Sequence, residues 1–493
     1  MFLILIIIII IYLFFDTFRK NRFNSTLKQP FALPFLGNLH LLGISPHETI
    51  RKFTKIYGNV YGLWFGDHYS VIVSDIHVAR EIFVQNFENF SDRPHIPSIA
   101  SASNDFKDLA LGNEDYWKLA KRKVANTFLK SKLMNHAYDL IHEESLKFVK
   151  SFENYAKDGK IVQPRRLCQR YVSNIILGYA FNTHVSYEVK NKKEMVGNER
   201  DLNELLDSVE EFLKLIASGN ILDYLHIAYP FYYKYLQKYG PHNKIQTLIR
   251  DLYQEHKRTL DSNNPRDLID NLILETMQSQ EKGSPISMET ETLQNILIGF
   301  DFFVAGSDTS SNILEWLILM LCNYPEVQEQ VYKELTRLHT SEVLINHKRS
   351  TPYLCSVIKE VMRYHSVAPL GLPRVAKDDI TLSSGIHIPA KSQILLNIGG
   401  IGLDERYFQK ADKFKPDRFM HEAPSNYHIA FGLGSRQCAG SQLAQDEIYA
   451  AASNLLLNYK FSYSNPNEKI SEKEEYGTTI HPLEHFSVLL ENR

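Results

Sequence analysis

Apolar residues fill positions 2 to 15 without a break (FLILIIIIIIYLFF). At ~1.5 Å per residue this run rises only about 21 Å as a helix, short of a hydrocarbon core of about 30 Å. Extension to Phe18 brings it to about 27 Å, the thickness of the thinner endoplasmic reticulum bilayer. Arg19, Lys20 and Arg22 follow, with neither a preceding basic segment nor a small-residue cleavage site. The pattern predicts an uncleaved anchor over 1–18, with the chain beyond it on the cytosolic side.

Pro30, Pro34, Gly37 and Pro46 interrupt regular patterning across the next stretch, so 19–49 reads as a stiff lead-in. VYGLWF (60–65) and YSVIVS (69–74) are rich in β-branched and aromatic residues around Gly66-Asp67-His68, which predicts a hairpin. From about 76 to 370 the apolar spacing is helical, and strand-like runs return near 378–398 and 460–491. The longest helical candidate, 293–326, is apolar at both ends but carries Asp301, Asp308, Thr309, Ser310, Ser311 and Asn312 in its middle. That density of polar groups is costly in lipid, so the segment reads as a buried core helix whose polar notch meets something polar. The fold class is mainly α with small β-sheets.

Composition narrows the function only by exclusion. With 44% hydrophobic and 23% charged residues, the 493-residue chain is an ordinary globular protein. Its 55 Lys and Arg nearly balance 57 Asp and Glu, which removes any chain-wide attraction to nucleic acid. Four cysteines (Cys168, Cys322, Cys355, Cys438) with no CxxC pair make no disulfide framework and suit a reducing compartment.

Three of those cysteines lie in apolar or helical surroundings and read as small hydrophobes. Cys438 instead sits in FGLGSRQCAG (431–440), where glycines permit positive φ and close approach of a bulky ligand. Backbone N–H groups there, with Arg436 two residues away, are placed to stabilise a thiolate. The segment carries the pattern F-x-x-G-x-R-x-C-x-G and resembles the haem-binding loop of the cytochrome P-450 superfamily. The resemblance continues in order through FSDRP (90–94), W-x-x-x-K (117–121), AGSDTS (305–310), E-x-x-R (360–363) and PDRF (416–419). It covers essentially the whole chain and implies one catalytic domain over 50–493.

The resemblance implies haem b with Cys438 as the iron ligand and Phe431 packed beside the sulfur. Arg436, Trp117, Lys121 and Arg374 become propionate partners. The family more often has arginine at position 121; lysine keeps the charge but loses the bidentate fork, and Arg122 is an alternative. Thr309 and Asp308 become the hydroxyl and acid that deliver protons, with Asp308 the relay to solvent. Gly306 would open a groove for a diatomic ligand. Residue spacing alone offers Thr309 a bond back to the Ala305 carbonyl. Glu360, Arg363 and Arg418 form a fold lock.

Residues 118–132 hold six basic side chains and no acid. In this family that is a docking surface for an acidic NADPH-cytochrome reductase, with a cytochrome b-type protein as second donor, and Lys123 and Lys130 are the positions to reverse. A lipophilic small molecule would meet 95–113, 205–222, 302–305, 367–372 and 477–480, with Ser101, Ser103 and Asn104 as polar contacts. The aromatic stretch 220–236 reads as dipping into the membrane interface or as ordinary core and surface tyrosines. The expectation is a single-pass endoplasmic reticulum monooxygenase that uses NADPH indirectly. The alternatives are a reductase-independent isomerase or dehydratase acting on peroxides, and a non-catalytic haem-thiolate sensor.

Overall fold

The computed structural model describes the chain apart from residues 1, 25, 129, 130, 186, 188–194, 197–199, 218, 422–424 and 465–468. In chain order the elements that frame the site are helix α1 (Phe2–Arg22), strands β1 (Val60–Phe65) and β2 (His68–Val73), and helices α2 (Glu114–Phe128), α3 (Pro164–Phe181), α4 (Tyr229–Tyr239), α5 (Met288–Asn323) and α6 (Pro352–Tyr364). Strands β3 (Arg374–Val375) and β4 (Gln393–Leu396), helix α7 (Ser441–Asn458) and strands β5 (Glu474–Gly477) and β6 (Thr479–Pro482) complete the frame. Helices dominate, and the strands form one four-stranded sheet and small two-stranded ones.

The expected hairpin is present, with Phe65 opposite His68. The large sheet runs β1-β2-β4-β3, and β4 joins β2 in parallel with Ser70 opposite Gln393. Alternation along the strands divides two cores. Leu63, Phe65, Ile72 and Leu395 join the helical core, while Trp64, Val71, Val73, Ile394 and Leu396 face a second cluster.

Helix α5 begins where the Ser287 side chain accepts from the Thr290 N–H at 3.2 Å, with Glu289 and Glu291 in its first turn, where acids favour the helix dipole. From Gln294 to Asn323 every residue is buried except Ala305, Gly306 and Thr309. Their i, i+1, i+4 spacing puts the opening on one side of an otherwise enclosed helix.

Helix α1 exposes its apolar side chains and is long and apolar enough to cross a membrane by length and composition. Its last turn is fastened to the hairpin. Lys20 is fully buried and pairs with Asp16 at 2.8 Å, and its carbonyl accepts from Trp64 Nε1 at 2.9 Å. Asn21 exchanges hydrogen bonds with the Ala32 backbone at 2.9 and 3.0 Å. One of the three cations beyond the apolar run is thereby spent inside the protein.

The lock behind the cysteine loop forms as expected. Glu360 accepts from Arg363 at 2.7 and 2.8 Å, from Arg418 at 3.1 Å and from the Lys415 N–H at 2.7 Å. All three charged side chains are buried, so losing one partner strands the others, a ~3–5 kcal/mol loss.

A second buried tie joins the two ends of the chain. Glu474 on β5 bridges His47 in the lead-in and His365 after α6, each at 2.8 Å. These hydrogen bonds and the imidazole charges hold its carboxyl down at about 2, against an ordinary 4.5, although burial opposes them. A depressed carboxyl pKa stabilises the fold above the unfolded value and loses that contribution as pH falls through the folded one. The stability difference between the wild type and Glu474→Gln should therefore be greatest above about pH 4.5 and shrink toward about pH 2, measured by denaturant unfolding across that range. A difference independent of pH would refute this.

Candidate active site

Gly432 and Gly434 adopt φ of 79° and 69°. A side-chain carbon on Gly434 would lie 2.2 Å from the Phe83 carbonyl oxygen, so the loop threads a gap that only glycine fits. The Cys438 N–H donates to the Phe431 carbonyl at 2.8 Å, just before α7 begins at Ser441. Among the four cysteines only Cys438 is exposed. Desolvation pushes its thiol up, the Gly440 backbone N–H offsets this in part, and Glu447 adds to the rise. Arg436 does not act on the sulfur as the sequence suggested, because its guanidinium stacks 4.2 Å from the Trp117 ring and donates to the Gly112 carbonyl. The loop by itself keeps the thiol protonated, and metal coordination is what removes such a proton.

Buried positive charge surrounds this loop. Arg374 and Arg436 have no carboxylate partner among the described residues, and Arg436 Nε and Nη1 have no hydrogen-bond partner. Burial and repulsion from Arg93 lower both, Arg436 to about 8 and Arg374, which Arg436 also repels, well below its ordinary value. Lys121 lies 5.1 Å from the Trp117 ring and donates to the Ser435 carbonyl at 2.9 Å. Trp117 is thus flanked by two cations, which identifies Lys121 as a side chain at this site. Arg122 is simply exposed.

On the opposite wall Thr309 donates back to the Ala305 carbonyl at 2.8 Å, the local bond its spacing offers. Asp308 is buried away from solvent and accepts from Thr479 at 2.6 Å and Asn312 at 2.9 Å. Burial raises its carboxyl, against the opposing pull of Thr479, Arg165 and His481. Arg165 links Glu315 at 2.9 Å with Glu210, a partly exposed acid, at 3.5 Å. Gly306 also departs from its expected role. A side-chain carbon there would meet Ile176 Cδ1 at 2.4 Å, so the glycine admits α3 rather than opening a groove for a ligand.

Two further expectations change. Lys123 is buried on Glu291 at 2.8 Å and cannot belong to a docking face. Lys130 and the Lys132 side chain lie outside the described residues, and among the described ones Lys118, Lys121 and Arg122 are the exposed cations of the run. Ser101 meets His242 Nε2 at 3.2 Å and Ser103 donates to the Ile99 carbonyl at 2.7 Å, while Asn104 sits in a left-handed turn with φ of 47°. None of the three lines the cavity of about 100 Å³ formed by Ile96, Leu111, Ile216, Leu370, Tyr476 and their neighbours. That cavity does draw on four of the five expected segments.

Sequence reasoning missed the stitching of residues 107–113. Asp301 accepts from the Leu109 and Ala110 N–H groups at 2.8 and 3.0 Å, and Asp108 from Leu111 at 2.8 Å. Arg93 donates from Nε to the Ala110 carbonyl at 2.9 Å and from Nη1 to those of Leu372 and Pro373 at 3.0 and 2.9 Å. Arg93 stood in FSDRP and Asp301 in the polar notch; their contacts are between distant segments. Glu447, raised to about 8 by burial, was also missed.

The Cytochrome P450 family profile matches residues 27–487. A probable cytochrome P450 508D1 of Dictyostelium discoideum is 34% identical across 99% of both chains, and a probable cytochrome P450 519E1 of the same organism is 33% identical across 100% of this chain and 99% of its own. A zebra fish cytochrome P450 structure with progesterone superposes with a TM-score of 0.76 at 24% identity, over 92% of this chain and 100% of that one. The chain belongs to the cytochrome P450 family, whose general chemistry is haem-thiolate monooxygenation. The residues fit that cofactor: an accessible cysteine, a buried and a half-buried guanidinium without a carboxylate partner among the described residues, and a helix that between Gln294 and Asn323 opens only at Ala305, Gly306 and Thr309.

Gly306→Val should lower stability by ~1–3 kcal/mol through overpacking, and Ile176→Ala in the same chain should restore part of it, as read by thermal unfolding. No rescue would show that Ile176 is not the obstacle.

Proposed function

We propose that this protein is a membrane-anchored monooxygenase that inserts one atom of O2 into a lipophilic small molecule, with electrons from NADPH through a reductase. The observation that carries the reading is the pair of anion-seeking arginines, Arg374 buried and Arg436 half-buried with two unpartnered guanidinium nitrogens, near the single exposed cysteine. Arg374 and Arg436, with Lys121, supply charge-assisted bonds to two propionates, and Trp117 holds the cations in place. Cys438 gives up its proton on coordination, and Phe431 fixes the loop through its carbonyl. Bound there, haem supplies oxygen activation at a thiolate-ligated iron.

The chain's own work is proton handling and orientation. Thr309 presents its hydroxyl at the open face of α5, and Asp308 returns a proton to it. Arg165, paired with Glu315 and Glu210, supplies the positive charge that favours the ionised form of Asp308. This acid and alcohol favour monooxygenation over peroxide rearrangement. Lys118, Lys121 and Arg122 offer a basic face to an acidic reductase.

Placement at the endoplasmic reticulum membrane rests on α1 and on the exposed side chains Ile227, Phe231 and Tyr239. The segment before α4 touches the hairpin tip, where Asp67 N–H donates to the Tyr224 carbonyl at 2.8 Å. Asp67 also lies 3.8 Å from Lys20 at the base of α1. These contacts put both apolar features on one side of the molecule.

The reduced protein with carbon monoxide should show the red-shifted Soret band of thiolate-ligated haem, and Cys438→Ser should abolish it. A histidine-type band in the wild type would overturn the assignment. Thr309→Ala should keep consuming NADPH while releasing more hydrogen peroxide and less product. Wild-type coupling in that variant would remove Thr309 from proton delivery.

A further inference from the structure

No charged residue lines the cavity described above, and Leu39, Leu42, Ile50, Phe65, Leu370 and Leu395 are typical of its apolar wall. Tyr224, Tyr476 and Thr478 add hydroxyls to it, and Gln393 adds a carboxamide. Gln393 stands in the central strand β4, one pleat from Leu395 and on the same face, and is 1% exposed. Its carboxamide meets the Tyr224 hydroxyl, yet Oε1 has no hydrogen-bond partner.

Parallel pairing sets Ser70 beside Gln393, and register partners share a face of the sheet. The Ser70 hydroxyl is fully buried and also has no partner. Leaving a polar atom buried and unpaired costs about 1–3 kcal/mol, and native proteins leave few. Gln393 Oε1, the one of the two that belongs to a cavity-lining side chain, therefore indicates a ligand that completes it.

The Gln393 amide oxygen only accepts, and so asks for a donor. An ionised carboxylate has none and would face the Gln393 oxygen with no cation in the lining to compensate. An ammonium would lose its hydration with no carboxylate in return. A neutral O–H on an apolar body satisfies both constraints. Resting on the monooxygenase reading, we propose that the cavity selects neutral lipophilic alcohols, with the ligand hydroxyl donating to Gln393 Oε1 beside Ser70.

The test uses the full-length haem-loaded protein and three probes with the same chain: hexanol, its methyl ether, which accepts but cannot donate, and ionised hexanoate. Binding is read by calorimetry, independently of turnover. Hexanol should bind about tenfold tighter than either comparator. Gln393→Leu and the shape-conserving Gln393→Met should bring hexanol to the level of the ether, and Ser70→Ala should narrow the gap less. Equal binding of hexanol and ether by the wild type, tighter binding of hexanoate, or a preference that survives in the folded Gln393→Met protein would each overturn the proposal. The carbon monoxide band of each variant reports separately on the haem-thiolate assignment, so failure of one reading is distinguishable from failure of the other.

Discussion

Arg93, Arg374 and Arg436 converge where the cysteine loop, the 107–113 stretch and strand β3 meet, and the carboxylates nearby cannot neutralise them. Asp108 is raised to about 6 by burial, and Asp301 is raised well above its ordinary range by burial and by Asp108 itself. Burial thus weakens the acids at 108 and 301, while Asp92, held low by its hydrogen bonds and Lys377, offsets part of the positive charge without pairing with Arg374 or Arg436. Arg93 donates to the carbonyls of Ala110, Leu372 and Pro373, whereas Arg436 reaches only that of Gly112. Much of the surrounding architecture can be understood as holding this imbalance in place. Trp117 lies against Arg436, the Gly112 carbonyl accepts from it, and the acids on α5 and at position 108 fix the loop that carries that carbonyl. A dianionic ligand beside a thiolate matches such a centre.

The parts legible in the sequence were those encoded locally. Glycine spacing around Cys438, alternation in the hairpin and helical periodicity along α5 each depend on a few neighbouring residues. What stayed hidden was which surface each side chain meets. Lys123 stands in a run of cations and reads as solvated, yet the fold brings Glu291 to it from more than 160 positions away. Gly306 suits an oxygen groove by its setting among polar residues, but Ile176 occupies the space a side chain would take. Asp308 has the right chemistry for a relay, and only tertiary packing reveals that Thr479 covers it and that Arg165 stands between it and Glu210. The polar residues of 101–104 are spent on turn geometry, a demand that arises once the chain must reverse there.

The base of α1 shows how an anchor and a catalytic body can be made continuous. Asp16, Lys20 and Trp64 bring the helix exit, a buried ion pair and the hairpin into one junction, and Asp67 extends it toward Tyr224. The lead-in that carries the prolines also supplies Asn38, whose side chain accepts from the Trp64 N–H at 2.8 Å. The domain is therefore held to α1 through the sheet rather than tethered by loose chain.

The parallel pairing of β2 with β4 has a consequence for biogenesis. Ser70 and Gln393 are neighbours in the sheet, but a ribosome adding ~5–20 residues per second makes the second roughly 15 to 65 s after the first. Throughout that interval the hairpin presents an unpaired edge, the kind of surface on which strands from other chains aggregate. With α1 already synthesised and fastened to the same hairpin, the waiting edge is held near one end of the nascent chain. The helical body must then emerge and pack before the sheet that supports it can close.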